Sequence, residues 1–446
     1  MHTSLLPSPL SETSSDGEPR VVWTFPPCER IEEYRPGGFH PVHIGDVFHD
    51  GQYKVLRKLG EGSFSTVWLA RDQSNSRYVA LKIVAAESQA TTELEILRHL
   101  AQVEPVEKTQ CITQLLDQFE HVGPNGTHAC LVFEPMGPNL NIMIEELLNS
   151  RPRMFGINVR YPPPMAKVIL KQALQALAVL HENGIAQGDV QPGNMLFAPD
   201  NIDSSPEDTL RQKEDVETGS ISIPAQKGDG KSYDGAPRYL CVAQPLKSFA
   251  HIPEGFQIKL SDMGGAFFFS DPPAKPIVPI GLRAPELILT GEVNKTIDIW
   301  SFGCLVFELI AGHQLFCVPW MGSDAETDDD HLLKITSHLG PLPEDLYRHW
   351  DRASQYFTLE RKLYNCELGG VKEGREPLLL EEQSMEEFFD EAKPDLDEEE
   401  AGKVKALVRR ILQYDPEKRP SAAELLRDPW FSGEEIEGGS SESTTM

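Results

Sequence analysis

Residues 186–197 read AQGDVQPGNMLF. Asp189 stands five positions before Asn194, and Pro192 and Gly193 force a turn between them. Such a loop can set a carboxylate base beside an amide-oxygen metal ligand. Further on, KLSDMGG (259–265) ends an apolar run on Asp262, followed by residues that permit a sharp turn. Asp262 and Asn194 together suit Mg²⁺, which prefers oxygen ligands and keeps phosphate oxygens in its shell. Asp189 would then accept a substrate hydroxyl proton. Taken singly, an Asp-x-Gly is most often an ordinary turn.

A second constellation precedes it. In LGEGSFSTVWLA (59–70), Gly60 and Gly62 let a strand–turn–strand backbone approach phosphates closely. A third glycine would fall at position 65, where Ser65 stands. Val67 is suited to pack on an adenine face. VALK (79–82) follows, and Lys82 has apolar neighbours. A lysine buried there needs a partner charge. The next helix offers Glu93 and Glu95, and Glu93 is favoured because Leu97 and Leu100 follow it with core-facing spacing. The plain alternatives are a simple hairpin and a surface lysine.

The elements that must position these groups follow from the pattern of the chain. Its 446 residues exceed a typical domain about threefold, so two lobes are expected. YKVLRKLG, STVWLARD and RYVALKIV read as a strand meander, and HACLVFEPM as a further strand. TELEILRHLAQV, NIMIEELLNS and PMAKVILKQALQALAVLHENG read as helices, the last stopped by Gly184. Residues 199–255 break this pattern: SSPEDTLRQKEDVETGS and PAQKGDGKSYDGAP hold few apolar side chains, so the stretch reads as an insert, mostly loop or disordered. FQIKLSDM is strand-like, and after 290 the chain is mainly helical to about 431. Strands first and helices later predict an α+β architecture, a small β-rich lobe on a larger helical one with a cleft between. Residues 1–33 and 432–446 read as flexible tails.

Composition narrows the function classes. A formal net charge of −28 argues against direct nucleic-acid binding and favours a basic partner. No run of about 18 apolar residues exists, so no membrane span is expected. The start MHTSLLPSPLSETSSDGEP lacks the basic and apolar regions of a secretory signal. Seven scattered cysteines without a C-x-x-C pair point to reduced thiols, hence cytoplasm or nucleus.

The motifs gain specificity from their order. The hairpin, VALK, the helix glutamate, the Asp-to-Asn loop and Asp-x-Gly are followed by RAPE (283–286), DIWSFG (298–303) and the arginine of DPEKRP (415–420). In that order the chain resembles a eukaryotic protein kinase. Within that group it resembles the SR-protein kinases, in a fungal-type form, over about residues 34–431. The likeness is carried by YRPGGFHPVHIGDVF, KLGEGSFSTVWLA, VFEPMGPNL, TGEVNKTIDIWSFGCLVFEL, DDDHLLKITSHLGPLP and RDPWF.

The resemblance implies a bilobal kinase fold, with a small lobe over about 53–136 and a large one over about 137–431. It implies an ATP- and Mg²⁺-dependent serine/threonine kinase, a monomer, acting on Arg/Ser-rich proteins such as splicing factors. Asp189 would be the catalytic base, and Asn194 and Asp262 the metal ligands. The nucleotide would lie against Leu59, Gly60, Glu61, Gly62, Ser63, Phe64, Ser65, Thr66, Val67, Ala80 and Leu196. Lys82 would pair its phosphates and Glu93, and Glu134 to Met136 would form the hinge, with Phe133 as gatekeeper. Glu286 would pair with Arg419, and Asp298 would hold the catalytic loop from below.

Departures from the family pattern bear on activity. Gln191 replaces the lysine that contacts the transferred phosphate, Gln187 replaces a histidine, and Gly193 stands where a glutamate is common. Losing a charged stabiliser of the transferring group costs about 10²–10³ in rate, roughly 3–4 kcal/mol, which describes a slow enzyme. A pseudokinase scaffold for basic partners and a small-molecule phosphotransferase are the competing readings. Gly188 leaves no arginine to receive an activation-loop phosphate, and the segment to Glu286 has one hydroxyl residue, Ser270. A constitutively ordered segment is therefore expected. Two acidic blocks, 323–330 and 376–400, offer carboxylates to a basic peptide, the first chiefly through Asp329 and Asp330. The second also reads as an amphipathic helix.

Overall fold

The computed structural model describes residues 28–432, apart from 89, 104, 150–159, 213–219, 223–234, 251–254 and 380–381. Alternating apolar and polar residues between 53 and 84 produce three strands, β2 (Tyr53–Glu61), β3 (Ser65–Asp72) and β4 (Arg77–Val84). Two further strands, β5 (Leu115–Gly123) and β6 (Gly126–Phe133), and the short β1 (Val47–Phe48) complete an antiparallel sheet of order β1-β2-β3-β4-β6-β5. The polar edge strand β5 carries too weak an alternation to be recognised in sequence. Register sets Val67 opposite both Gly60 and Lys82, and Ala80 opposite Phe133. Helix α1 (Thr91–Leu100) presents Glu93, Ile96, Leu97 and Leu100 inward.

The large lobe begins with α2 (Leu140–Asn149) and α3 (Pro163–Glu182). Ala166, Ile169, Leu170, Ala173, Leu174, Leu177 and Leu180 form the buried stripe of α3. Gly184 follows the helix at φ +72°, a left-handed turn that glycine adopts without strain. The strands β7 (Ile185–Ala186) and β8 (Met195–Phe197) flank the Asp189 loop. Within the region read as an insert lie α4 (Glu207–Leu210), β9 (Ser220–Ser222) and β10 (Tyr239–Cys241). Then come β11 (Ile258–Leu260), paired with β8, and β12 (Phe267–Phe268), paired with β7. Helices α5 (Pro285–Leu289), α6 (Thr296–Ala311) and α7 (Asp324–Leu339) follow. α6 is buried all round, as its near-continuous apolar sequence requires. No helix among the described residues is long and apolar enough to cross a membrane.

Two expectations need correction. Residues 28–33, assigned to a flexible tail, are packed: Cys28, Ile31 and Tyr34 share a buried cluster with Phe39, Ala85 and Leu240. Spacing of three places these apolar groups on one face, but the charged residues between them dominate the local composition. The 199–255 stretch likewise contributes to the core. Ile202, Leu210 and Leu246 are buried against Leu56, Leu69 and Tyr78 of the small lobe. Few apolar residues suffice because each packs on the sheet.

One ion pair ties the large lobe together. Arg419 Nη1 and Nη2 donate to Glu286 at 2.5 and 2.7 Å, both side chains being buried. The guanidinium also lies over the Trp300 ring at 4.9 Å and donates to the Gln413 carbonyl. Removing one partner leaves the other charge buried and unpaired. Glu286→Ala should therefore lose about 3–5 kcal/mol of stability, read as a shifted midpoint in urea denaturation.

Candidate active site

A cleft of about 530 Å³ lies between the glycine-rich hairpin, the 133–139 connection and the Asp189 loop. Leu59, Gly60, Glu61, Gly62, Ser63, Ser65, Val67, Ala80, Lys82, Glu93, Glu134, Met136 and Leu196 all line it, with Phe133 among them. Asp189, Asn194 and Asp262 line the same cleft. Two residues expected beside the nucleotide do not. Phe64 sits at the hairpin tip, 57% exposed. Thr66 is buried, its hydroxyl accepting from Trp68 Nε1 at 2.9 Å. Successive strand residues face opposite sides, so Ser65 and Val67 face the cleft and Thr66 cannot.

Lys82 connects the lobes. Its Nζ lies 2.6 Å from Glu93 Oε1 and 2.9 Å from Asp262 Oδ1. Burial works against the ammonium, but the two carboxylates outweigh it and hold the group above the usual lysine range. Burial likewise pushes Asp262 up, and Lys82 with the Gly264 N–H outweighs that, leaving the carboxyl below the usual range. Asp262 has φ +54°, one of few non-glycine residues in that region among those described, and its carboxylate caps the following turn through Gly264 N. Glu95, the weaker candidate in sequence, is exposed.

The Asp189 carboxylate has a donor on each oxygen. Gln191 Nε2 donates to Oδ1 and Asn194 Nδ2 to Oδ2, both at 2.7 Å. Burial raises this carboxyl above the ordinary range, the two amides pulling the other way and the Asp262 charge adding to the rise. Gln191, read in sequence as a neutral substitute on the phosphate, is thus turned onto the base. Gln187 has a definite role. Its Oε1 accepts from Asp189 N at 2.6 Å, and its Nε2 donates to the Asp262 carbonyl at 3.0 Å. One neutral side chain so bridges the backbones of the two aspartates. Asp298 accepts from Gln187 N and Gly188 N at 2.8 Å each, and pairs with His181 Nε2 at 2.9 Å. Gly188 has φ +71°, and a Cβ there would stand 2.3 Å from the Gly265 carbonyl oxygen. No arginine fits that backbone.

Sequence reasoning missed the group that fixes the hinge. Lys259 Nζ holds both oxygens of Glu134 at 2.7 and 2.8 Å, and Gln114 N donates to the same carboxylate at 3.0 Å. The spacing of Lys259 just ahead of Asp262 was the available signal. The first acidic block differs from expectation as well, whereas the second holds the amphipathic helix its sequence suggested. Asp329 is buried and accepts from Trp350 Nε1 at 2.7 Å and Tyr356 OH at 2.5 Å, with Arg352 at 2.8 Å. Asp330 pairs with Lys334 one helical turn on. Neither carboxylate is free for a peptide; Asp324 at the start of α7 is 78% exposed and lies 3.9 Å from Lys275 Nζ. The second block contains a helix, Met385–Glu391, that buries Met385 and Phe389 while Glu386 binds Arg409 and Asp390 binds Lys405.

The donors around the Asp189 loop suit a hard cation. Asn194 supplies an amide oxygen and Asp262 a carboxylate, the oxygen chemistry that Mg²⁺ prefers.

Comparison with known proteins agrees with this geometry. Residues 53–203 and 250–431 match the family model described as the protein kinase domain. The serine/threonine-protein kinase SRPK of Physarum polycephalum is 33% identical over 415 residues, covering 91% of each chain. Protein kinase dsk1 of Schizosaccharomyces pombe is 28% identical, over 93% of this chain and 87% of its own. Human SRSF protein kinase 3 is 26% identical, over 91% of this chain and 90% of its own. A crystal structure of a kinase domain superposes with a TM-score of 0.60 at 24% identity, over 87% of this chain and 98% of that one, a likeness of fold. With a lysine–glutamate pair beneath a glycine-rich hairpin and relatives aligned along nine-tenths of its length, the chain belongs to the protein kinase family, as a serine/threonine kinase of the SRPK group.

Proposed function

We propose that this kinase moves the γ-phosphoryl group of ATP to serine hydroxyls in Arg/Ser-rich proteins such as splicing factors. The observation that carries the reading is that Lys82, Glu93, Asp262, Asn194 and Asp189 converge on one open cleft. Val67, Ala80 and Leu196 offer an apolar slot for a purine, and Gly60 and Gly62 admit phosphates beside the backbone. Lys82 presents a fixed positive charge to those phosphates. The serine oxygen attacks the terminal phosphorus, its proton passes to Asp189, and ADP leaves with the bridging oxygen. Mg²⁺, when held by Asn194 and Asp262, would supply charge neutralisation on the phosphates. Gln187 keeps the two aspartates in register without adding charge.

The substrate class rests on other support. The chain carries −28 formal charges, and relatives are named SRPK and SRSF protein kinase. A negative surface steers and retains arginine-rich peptides. We propose the cytoplasm and nucleus as its compartments, where its seven cysteines, none of them in a disulfide, would persist as thiols.

Turnover of an Arg-Ser repeat peptide should exceed that of a neutral serine peptide, and its KM should rise with ionic strength, measured with radiolabelled ATP. Asp189→Asn should abolish the signal; wild type that binds Mg·ATP in a thermal shift without transferring phosphate would point to the scaffold reading instead. Gln191→Lys should raise kcat about tenfold or more, by placing a positive charge beside the transferring group.

The pH profile gives a separate check. Asp189 must be ionised to act as base, and burial lifts its pKa above the usual carboxylate range, so the acid limb of kcat/KM should lie above that of an ordinary aspartate. Gln191→Ala removes a hydrogen bond that favours the ionised form. The limb should then move to higher pH.

A further inference from the structure

The glycine-rich strand β2 is gripped from outside the catalytic core. Lys58, two residues before Gly60, is fully buried, and its backbone N–H and carbonyl are taken by another segment. Its Nζ pairs with Glu29 and, at 2.9 Å, with Glu61. Its backbone N–H donates to Gln212 Oε1 at 2.7 Å, and its carbonyl accepts from Gln244 N at 2.9 Å. Glu29 comes from the segment before β1, held there by Tyr34 OH. Gln212 and Gln244 come from the insert. Gln212 is itself buried: its N–H donates to the Leu56 carbonyl at 2.9 Å and its Nε2 to the Val242 carbonyl at 2.8 Å. β1 pairs only with Tyr53 and Lys54, Gly45 and Asp46 take the Val55 backbone, and at Leu56 and Lys58 that edge is completed by the insert. The kinase-domain match spans 53–203 and 250–431 and contains none of Glu29, Gln212 or Gln244.

The same insert reaches the cleft. Ala243 and Pro245, on either side of the Gln244 that binds Lys58, line it together with Leu59 and Gly60. We propose that the 242–245 stretch of the insert is a wall of the nucleotide site, with Ala243 and Pro245 determining which nucleotides fit and how tightly, and that Gln212 is a positioning residue that seats this wall and the glycine-rich strand against each other. This rests on the reading of the cleft as an ATP site. Ala243 is small and apolar and only half-buried, so it leaves room and offers dry surface next to Leu59. A larger side chain there intrudes on the space a nucleotide takes without touching the lobe cores.

The test is direct titration of the full chain with Mg·ATP by calorimetry, alongside the melting temperature without nucleotide. Ala243→Phe should weaken ATP binding about tenfold by filling the mouth of the cleft. Ser248→Phe, an equally bulky change at an exposed position of the same insert, should leave affinity within about twofold of wild type. Gln212→Ala should weaken binding about fivefold at a temperature where its melting curve shows it fully folded, because an unseated strand no longer presents its backbone to phosphate. If wild type binds ATP and Ala243→Phe binds it equally well, the wall is wrong. If Gln212→Ala lowers only the melting temperature, its role is structural and the positioning claim is overturned. Wild type that binds no ATP at all would instead overturn the nucleotide reading.

Discussion

The structure depends on a positive charge kept inside a cleft between two lobes. Lys82 belongs to the small lobe's sheet, Glu93 to its helix and Asp262 to the strand-end of the large lobe, and one Nζ reaches both carboxylates within 3 Å. A lone ammonium at that depth would be costly. Two carboxylates make it tolerable, and the arrangement holds only while α1 is swung in and the Asp262 turn is formed. The relative placing of the lobes is thereby coupled to the electrostatics of the site. α1 presents Glu93 because Ile96, Leu97 and Leu100 bury the same face. The Asp262 turn holds its left-handed backbone because Gly264 N–H caps the carboxylate and Gln187 takes the Asp262 carbonyl. Apolar packing sets the positions and the ion pairs exploit them.

Neutral amides do much of what charge does elsewhere in kinase sites. Gln187 joins the Asp189 amide to the Asp262 carbonyl, a bridge for which one donor and one acceptor on a single side chain are sufficient. Gln191 and Asn194 each donate to one oxygen of the Asp189 carboxylate, and Asp298 holds the loop from beneath through two backbone N–H groups. The base is held in place before any substrate arrives. The cost is electrostatic: the side chains on the Asp189 carboxylate are amides, so no positive charge there draws the transferring group. Gly188 fits the same pattern, since its backbone passes so close to Gly265 that no side chain can follow.

How far the sequence was legible varied with the kind of signal. Strands with clean alternation, the long helix α3 and the glutamate choice between Glu93 and Glu95 could be read because periodicity reports burial directly. Thr66 was misplaced by naming a continuous stretch where a strand offers only alternate residues. Asp329 was misread because the same carboxylate serves a peptide or a buried tryptophan and tyrosine, and nothing in DDD distinguishes them before the chain folds. The segments at 28–33 and 199–255 were underrated because composition averages over residues. Cys28, Ile31, Ile202, Leu210 and Leu246 are few, yet each meets a complementary apolar site far away in the chain.

These two underrated segments solve a problem that the sheet itself creates. β1 covers only the start of β2, which would leave an open row of backbone groups beside the glycines that approach phosphate. An open edge invites foreign strands and leaves the hairpin loose. Pairing it with the insert satisfies the backbone at Leu56 and Lys58. The pairing also carries Lys58 into a buried position that Glu29 and Glu61 then neutralise. The ion pairs are a consequence of the edge being closed, because the lysine would otherwise remain in water. Since Glu61 lines the cleft and Glu29 does not, the charge cluster extends the hold on β2 from the outer surface to the phosphate-facing turn. A strand gripped through backbone on one side and through a buried ammonium on the other has little freedom left.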